Sequence, residues 1–341
     1  MRNRDIAELL ARAAEEASSY VRRALKRASR AAFLWPVEVR DVIAAERSLT
    51  ELPRIGPYLA QRIRDWVLAD APVPAPPALR DDFLTRTEAR EILARDPSWR
   101  ARGDLQVHTT WSDGSASIAE MAAAARAAGL EYLAITDHSQ GLEIAGGMDE
   151  AELARQQIEI ARVNDAAGEI RVLRSLEMNL RPDGSGDMAP ESLAGLDLVL
   201  GAFHSALRRT DDQTARYVAA LRGAHVHVLA HPRGRIYNFR LGLRADWLHV
   251  FGVAAEVDKA VEIDAYADRQ DLNRDLLAEA RKAGVRISLG SDAHGPGELA
   301  MLEFGLAAAL ATGIPRERII NFMTADELVA WAASVRERVF R

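Results

Sequence analysis

There is no cysteine among the 341 residues of this chain. Disulfides, thiolate ligands and cysteine nucleophiles are excluded, so a metal site here draws on nitrogen and oxygen donors alone. No run approaches the roughly 18 consecutive apolar residues of a membrane span. The arginine-bearing start is followed by no apolar stretch of the kind that marks a secretory signal. Internal repeats and low-complexity tails are missing too. What remains is the profile of a soluble, cytoplasmic, globular protein, and 48% hydrophobic residues are enough to bury a large core.

The net charge of −6 is unevenly spread: residues 1–70 carry 13 Arg/Lys against 10 Asp/Glu, or +3, and the rest carries −9. Arg22, Arg23, Lys26, Arg27 and Arg30 run without an acidic residue between Glu16 and Glu38. Pro72, Pro74, Pro76 and Pro77 make a stiff, extended linker, because proline fixes its own backbone and pushes the preceding residue out of the helical region. The predicted organisation is a helical domain over 1–70, a proline-rich linker with a short helix over 71–101, and a larger domain over 102–341. Ile6, Leu9, Leu10, Ala13 and Ala17 recur at helical spacing within a helix expected over Asp5–Lys26. Thr85 with Glu88 three residues on reads as a capping box.

Beyond the linker, seven apolar runs read as strands: Leu105–Val107, Tyr132–Thr136, Val172–Leu176, Leu198–Phe203, Val226–Ala230, Ala260–Ile263 and Val285–Ser291. They lead respectively into His108, Asp137-His138, Glu177, His204, His231, Asp264 and Asp292-Ala293-His294. Helical segments over 117–128, 149–164, 213–222, 245–257 and 272–283 alternate with them, four of these ending near Gly129, Gly168, Gly223 and Gly284. Such alternation means a parallel sheet, and seven strands suggest a closed or nearly closed barrel. Barrels of the β/α type place their chemistry at the C-terminal strand ends, which is where these histidines and carboxylates fall. A lone histidine at a strand end is more often structural than a ligand; here the order and company of the set make the case. His225, His227 and His249 read as structural. Asp104 reads equally as a brace behind the site or as a residue bonding the backbone at the strand start.

The segments Gln106-Val107-His108, Ser112-Asp113-Gly114, Thr136-Asp137-His138, Leu176-Glu177, Phe203-His204-Ser205, Ala230-His231-Pro232 and Ser291-Asp292-Ala293-His294 resemble the polymerase and histidinol phosphatase, or PHP, family. Its nine ligands run His-x-His, Asp, His, Glu, His, His, Asp-x-His, and this chain matches eight of them in order over residues 102–300. With Gln106 at the first histidine, it is most similar to the PHP domain appended to bacterial family X DNA polymerases. The resemblance implies an α/β fold, a distorted (β/α)7 TIM-like barrel, with two or three divalent ions (Zn, Mn or Fe). It implies one ion on Gln106, His108, Glu177 and Asp292, a second on Glu177, His204 and His231, and a third on Asp113, His138 and His294. Alternation along a strand puts Gln106 and His108 on one face. Neutral Gln is a poorer donor than imidazole, so the first site is expected to be the weakest.

Asp137 is expected to orient a ligand or a basic group, and Arg233 and Arg235, just after His231, to meet phosphoryl oxygens bidentately. Arg208, Arg209, Arg240 and Arg244 extend the same basic character. In the first domain, Leu52 to Ala60 resembles a helix-hairpin-helix element of the same polymerases, which implies DNA-phosphate contacts at Arg54 and Gly56, with Arg22, Arg23 and Lys26 close by in sequence. Arg54 departs from the usual Gly-x-Gly, and a packing role for the hairpin is nearly as well supported. Only residues 71–101 separate the two domains, too few for a polymerase palm, and no Asp-x-Asp pair occurs; polymerisation is not expected. The functional expectation is a metal-dependent phosphoesterase acting on DNA 3′ ends, as exonuclease or 3′-phosphatase. Its alternatives are a small-molecule phosphomonoesterase of histidinol-phosphatase type and an inactive DNA-binding module.

Overall fold

The structure, a computed structural model, describes residues 1–168 and 170–339. Residues expected to form one helix over Asp5–Lys26 instead form two, α1 (Asn3–Glu16) and α2 (Ser19–Ala32), with extended backbone at Ala17 and Ser18 between them. The break lets both apolar faces meet: Ile6, Leu10 and Ala14 pack with Leu25, Ala28 and Ala32. Helices α3 (Val39–Ala44) and α4 (Pro57–Leu68) complete this core with Trp35, Val42, Leu52, Ile55, Leu59 and Ile63.

The proline segment is not a free spacer. Ala75 O accepts from Arg12, and the buried Arg80 guanidinium spans Glu8, Glu15 and Asn238. Phe83 from the linker segment and Tyr237 from the α/β region enter the helical core, Tyr237 lying edge-on to Phe33 at 4.7 Å and to Phe83 at 5.2 Å between ring centroids. Its hydroxyl meets Ser29 Oγ at 3.0 Å. The N-terminal helical region and the α/β region therefore share one apolar seam.

After α5 (Arg86–Leu93), whose Thr85 and Glu88 make the expected capping box, strands and helices alternate. The order is β1 (Gly103–Val107), α6 (Ile118–Ala127), β2 (Tyr132–Ile135), α7 (Glu150–Ala167), β3 (Arg171–Arg174), β4 (Glu177–Asn179), α8 (Pro190–Leu193), β5 (Leu200–Ala202), α9 (Thr214–Arg222), β6 (Val228–Leu229), α10 (Trp247–Glu256), β7 (Ala260–Asp264), α11 (Arg274–Ala283), β8 (Arg286–Gly290), α12 (Leu302–Ala311) and α13 (Ala325–Val339). Gly168 and Gly284 take left-handed backbone past their helices, whereas Gly223 does not (φ −67°). The expected third strand is split: Ser175 and Leu176 interrupt it, and Glu177 opens β4 instead of following a strand.

All ladders are parallel, in two sheets ordered β1-β2-β3 and β4-β5-β6-β7-β8. The sheets meet through single bridges, Val107 with Ala293 past the ends of β1 and β8, and His138 with Glu177 between the end of β2 and the start of β4. At the N-terminal strand ends α13 packs Leu328, Trp331 and Val335 beneath Leu105, Leu198, Val228 and Ala260. His227 belongs to that end: its Nδ1 lies 3.0 Å from Val199 N and its Nε2 3.1 Å from Arg336 Nε, a structural role.

Truncating Tyr237 tests the shared seam. Tyr237→Ala removes a buried ring with two edge-to-face partners and should cost about 3–5 kcal/mol, whereas Tyr237→Phe, losing only the Ser29 hydrogen bond, should cost about 1 kcal/mol. Urea unfolding midpoints distinguish the two; equal midpoints for Tyr237→Ala and the parent chain would show that the domains do not stabilise each other.

Candidate metal centre

Glu177 begins β4 at the bridge between the sheets, fully buried. Three histidines surround it: His231 Nε2 at 2.6 Å and His204 Nε2 at 3.1 Å from Oε1, and His138 Nδ1 at 3.3 Å from Oε2. His108 Nε2 lies 3.4 Å from the same Oε2 and 3.1 Å from Asp292 Oδ1. Asp113 Oδ1 sits 3.3 Å from His294 Nε2 and 3.6 Å from His138 Nε2. Two donors that each bind one ion at about 2.0–2.2 Å are about 3–3.5 Å apart, which is the spacing found here.

Hydrogen bonds hold the rings. Asn179 Oδ1 faces His204 Nδ1 at 3.1 Å, turning Nε2 toward Glu177. The Asp292 carbonyl faces His294 Nδ1 at 2.7 Å, leaving Nε2 to Asp113. Glu262 accepts the His231 backbone N–H at 2.7 Å, beside a strained His231 backbone at φ +23°. This bracing of ligand groups from behind is a regular feature of metal sites.

The described residues form three overlapping groups able to hold an ion: His108 with Asp113, His138 and His294; His138 with Glu177 and His204; and His108 with Glu177 and Asp292. The grouping differs from expectation in that His138 joins Glu177 and His204, while His231 meets Glu177 outside that group. Both ring nitrogens of His108, His138 Nδ1 and Glu177 Oε2 are buried without a hydrogen-bond partner. Such orphaned groups are costly, and divalent ions between them would satisfy those that face the centre: His108 Nε2, His138 Nδ1 and Glu177 Oε2. The residues present therefore fit a multinuclear centre.

Electrostatics point the same way. Burial alone would raise the Glu177 carboxyl, but His138, His231 and His204 outweigh it and hold Glu177 well below the usual carboxylate range. Asp292 is likewise held low, Arg269 and His108 overcoming burial. Burial, with repulsion from His108 and His204, outweighs the attraction of Glu177 and pushes His138 down to about 3. His294, by contrast, is raised to about 9, because its hydrogen bond to Asp113 and the charge of Asp292 overcome burial.

Gln106 is buried with neither amide atom partnered, next to Gly290, where a Cβ would lie 2.6 Å from Gln106 Cβ and 2.4 Å from Glu262 Oε1. Asp104 braces the strand ends, its Oδ1 accepting from Ser291 N at 3.0 Å.

Asp137 is consumed by Thr109 N and Oγ1, Ser112 Oγ and Gln156 Nε2; it shapes the loop that carries Asp113 and has no free edge for catalysis. Arg235 is also not catalytic: its guanidinium lies 3.8 Å from the Phe83 ring and donates to Arg269 O and Asp82 O. Arg233 is turned to Asn273 and the Leu241 carbonyl.

The arginine at the centre is Arg269, from the loop after β7, with Nη2 3.2 Å from Asp292 and Nε 3.5 Å from Asp264. Asp292 is its charged partner, since burial and repulsion from Asp292 push Asp264 well above the usual carboxylate range. Nothing in the sequence near residue 269 marks it; only the return of that loop over the strand ends does.

Arg22, Arg23 and Lys26 are exposed on α2, and Arg54 and Gly56 are exposed on the turn before α4. Arg54 takes left-handed backbone, φ +69°, the conformation that favours glycine and that the usual hairpin supplies at this place.

An α/β protein with parallel sheets and a histidine–carboxylate centre at its C-terminal strand ends is of the metallohydrolase kind. Residues 104–291 match the PHP domain, more than half of the chain, and the chain belongs to the PHP family, a family of metal-dependent phosphoesterases. It is 32% identical over 260 residues to the DNA polymerase/3′-5′ exonuclease PolX of Bacillus subtilis, covering 75% of this chain and 45% of that protein. The chain thus spans less than half the length of that relative. It is 29% identical over 223 residues to the probable phosphatase YcdX of Escherichia coli, covering 64% of this chain and 89% of that one. Among solved structures, the histidinol phosphate phosphatase of Lactococcus lactis, complexed with zinc, L-histidinol and phosphate, superposes with a TM-score of 0.42 at 14% identity, covering 70% of this chain and 94% of that one. Among the described residues, no helix is long and apolar enough to cross a membrane.

Two measurements test the centre. Elemental analysis after reconstitution should find two or three divalent ions per chain; Glu177→Gln should lose at least one of them, and Gln106→His should bind its ion more tightly. A folded protein that takes up none would refute the site.

Ion uptake should also release protons. His294 is protonated below about pH 9, so an ion must displace that proton, and affinity should rise with pH up to that value. The metal-free fold has the opposite sign: the stabilisation from the raised His294 is fully present below its ordinary value of 6.5 and lost as pH rises through about 9. Calorimetry in buffers of different ionisation enthalpy reads the released protons, and none released would exclude His294 as a ligand.

Proposed function

We propose that this chain is a metal-dependent phosphoesterase that hydrolyses phosphate esters at DNA 3′ ends, as a 3′-5′ exonuclease or 3′-phosphatase. The observation that carries the reading is the buried Glu177 ringed by histidines, with Glu177 Oε2, His138 Nδ1 and the His108 ring nitrogens left without a hydrogen-bond partner. Ions held there would supply Lewis-acid stabilisation of a phosphoryl group and activation of water. In this reading Gln106, His108, Asp113, His138, Glu177, His204, His231, Asp292 and His294 are the ligands. Asn179 fixes the His204 ring and Glu262 holds the His231 backbone. Arg269, 28% exposed at its side chain and paired to Asp292, is placed to meet phosphoryl oxygens as negative charge develops.

DNA is preferred over a small phosphomonoester on two grounds. The relative that matches 75% of the chain bears a 3′-5′ exonuclease name, and the α2 stripe of Arg22, Arg23, Lys26 and Arg27 makes no ion pair among the described residues. Arg54 and Gly56 would add backbone-phosphate contacts of the hairpin type. The organisation we propose is a helical domain over 1–70, a linker over 71–101 and a catalytic domain over 102–341, its two bridged sheets being the halves of a distorted (β/α)7 barrel.

The test is one assay with Mn or Zn on 3′-recessed DNA, 3′-phosphorylated DNA and a small phosphomonoester in parallel. Turnover at the DNA end should exceed that of the small ester by at least tenfold in kcat/KM. Turnover of the small ester alone would move the assignment to the small-molecule phosphatase, and none on any substrate by the metal-loaded protein would leave a DNA-binding module.

A further inference from the structure

The rim beside Arg269 carries groups that hydrolysis itself does not require. Arg208 lies four residues past His204, and Phe239 and Arg240 lie on the loop that follows His231. That second loop is clamped at its centre. Tyr237 N donates to Asp268 O at 2.7 Å and Asn238 N to Leu79 O at 2.8 Å, while the Tyr237 ring is locked among Phe33 and Phe83. Phe239, next in sequence, is 53% exposed.

The two loops close on each other where Gly234 (φ +59°) meets Leu207, a Cβ there lying 3.1 Å from Leu207 Cδ2 and 3.6 Å from Arg240 Nη2. The Arg208 guanidinium lies 5.0 Å from the Phe239 ring centroid. Arg240 donates to Gly234 O, and burial together with repulsion from Arg269 and Arg208 pushes it below the usual arginine value. Among the described residues neither Arg208 nor Arg240 has a carboxylate partner within ion-pair distance, and both face solvent at least in part.

An exposed phenylalanine alone signifies little. This one is held rigidly, carries a guanidinium beside its ring, and belongs to an arc of arginines whose innermost member touches the metal centre. A stacking ring flanked by a cationic track is how single-stranded nucleic acid is held without regard to sequence. We infer that Phe239, Arg208 and Arg240 form a nucleotide subsite at the mouth of the centre, the ring stacking on a base next to the hydrolysed ester and the two arginines taking backbone phosphate. The inference rests on the reading of a DNA end as substrate. It makes an unpaired 3′ end the preferred form, because a base within a duplex has no free face to offer the ring. The stripe on α2 reaches the same rim, Arg30 lying 3.7 Å from Asp268, so the strand beyond the subsite has a cationic surface to follow.

The test uses the full chain, with metal chelated to prevent cleavage, and a single-stranded oligonucleotide bearing 2-aminopurine next to its 3′ end. Binding should quench the fluorescence by stacking. Phe239→Ala should abolish the quench and weaken binding about 5- to 150-fold, from about 1–3 kcal/mol per stacked base, and Phe239→Trp should restore both. Arg208→Ala and Arg240→Ala should each lower the slope of log affinity against log salt by about 0.7. Leu248→Ala, a similarly exposed apolar side chain on α10, should bind as the parent does. A quench and affinity unchanged in Phe239→Ala, in a protein that trims DNA ends, would overturn the subsite alone. Failure of the parent chain to bind the oligonucleotide or cut DNA, while it hydrolyses a small phosphomonoester, would overturn the DNA reading and the subsite with it.

Discussion

A carboxylate buried at the junction of two sheets is the constraint from which the rest of this structure follows. Glu177 is fully buried, and an isolated buried charge is among the costliest features a protein can carry. Its compensation comes from four imidazoles delivered by strand ends that are far apart in sequence: His108, His138, His204 and His231. Such a cluster of imidazoles and carboxylates, with Glu177 Oε2, His138 Nδ1 and the His108 nitrogens unpaired, is stable as a cation-binding device and poorly satisfied as anything else.

That requirement shapes the sheets. An unbroken strand from Arg171 through Asn179 would alternate past the junction. Instead Ser175 and Leu176 leave the ladder and β4 starts anew at Glu177, so that the carboxylate lies on the bridge to His138. The other bridge, Val107 to Ala293, brings His108 between Asp292 and Glu177. Each bridge is a single residue pair, and each is flanked by donor side chains. The sheets are joined where the chemistry is.

The helical domain is part of this arrangement and not an appendage to it. Tyr237 anchors in the helical core while its backbone holds Asp268, and the next residue, Arg269, reaches Asp292. A chain of rigid contacts therefore runs from α2 to the metal centre. It also explains why Arg235 is unavailable to substrate: its guanidinium is spent on Phe83, Asp82 O and Arg269 O, on the seam that joins the domains.

The identity of the ligand types was legible in the sequence, because strand-end histidines and carboxylates recur in a fixed order and period-2 alternation puts Gln106 with His108. So were the parallel topology, the helical first domain and the capping box at Thr85, all of which depend on local backbone preferences and apolar spacing. The split of the third strand was not, since nothing in Val172 to Glu177 marks the pairing partner that Glu177 takes. Nor was the choice among arginines: a chain with so many of them offers no local sign of which guanidinium is paired, stacked or free. Proximity in sequence favoured Arg233 and Arg235, but the loop after β7 folds back over the strand ends and brings Arg269 there instead. The sequence by itself determined which chemistry is possible, through residue types and their periodicity; tertiary structure alone decided which atoms meet, because long-range packing, and not local preference, sets where each loop returns.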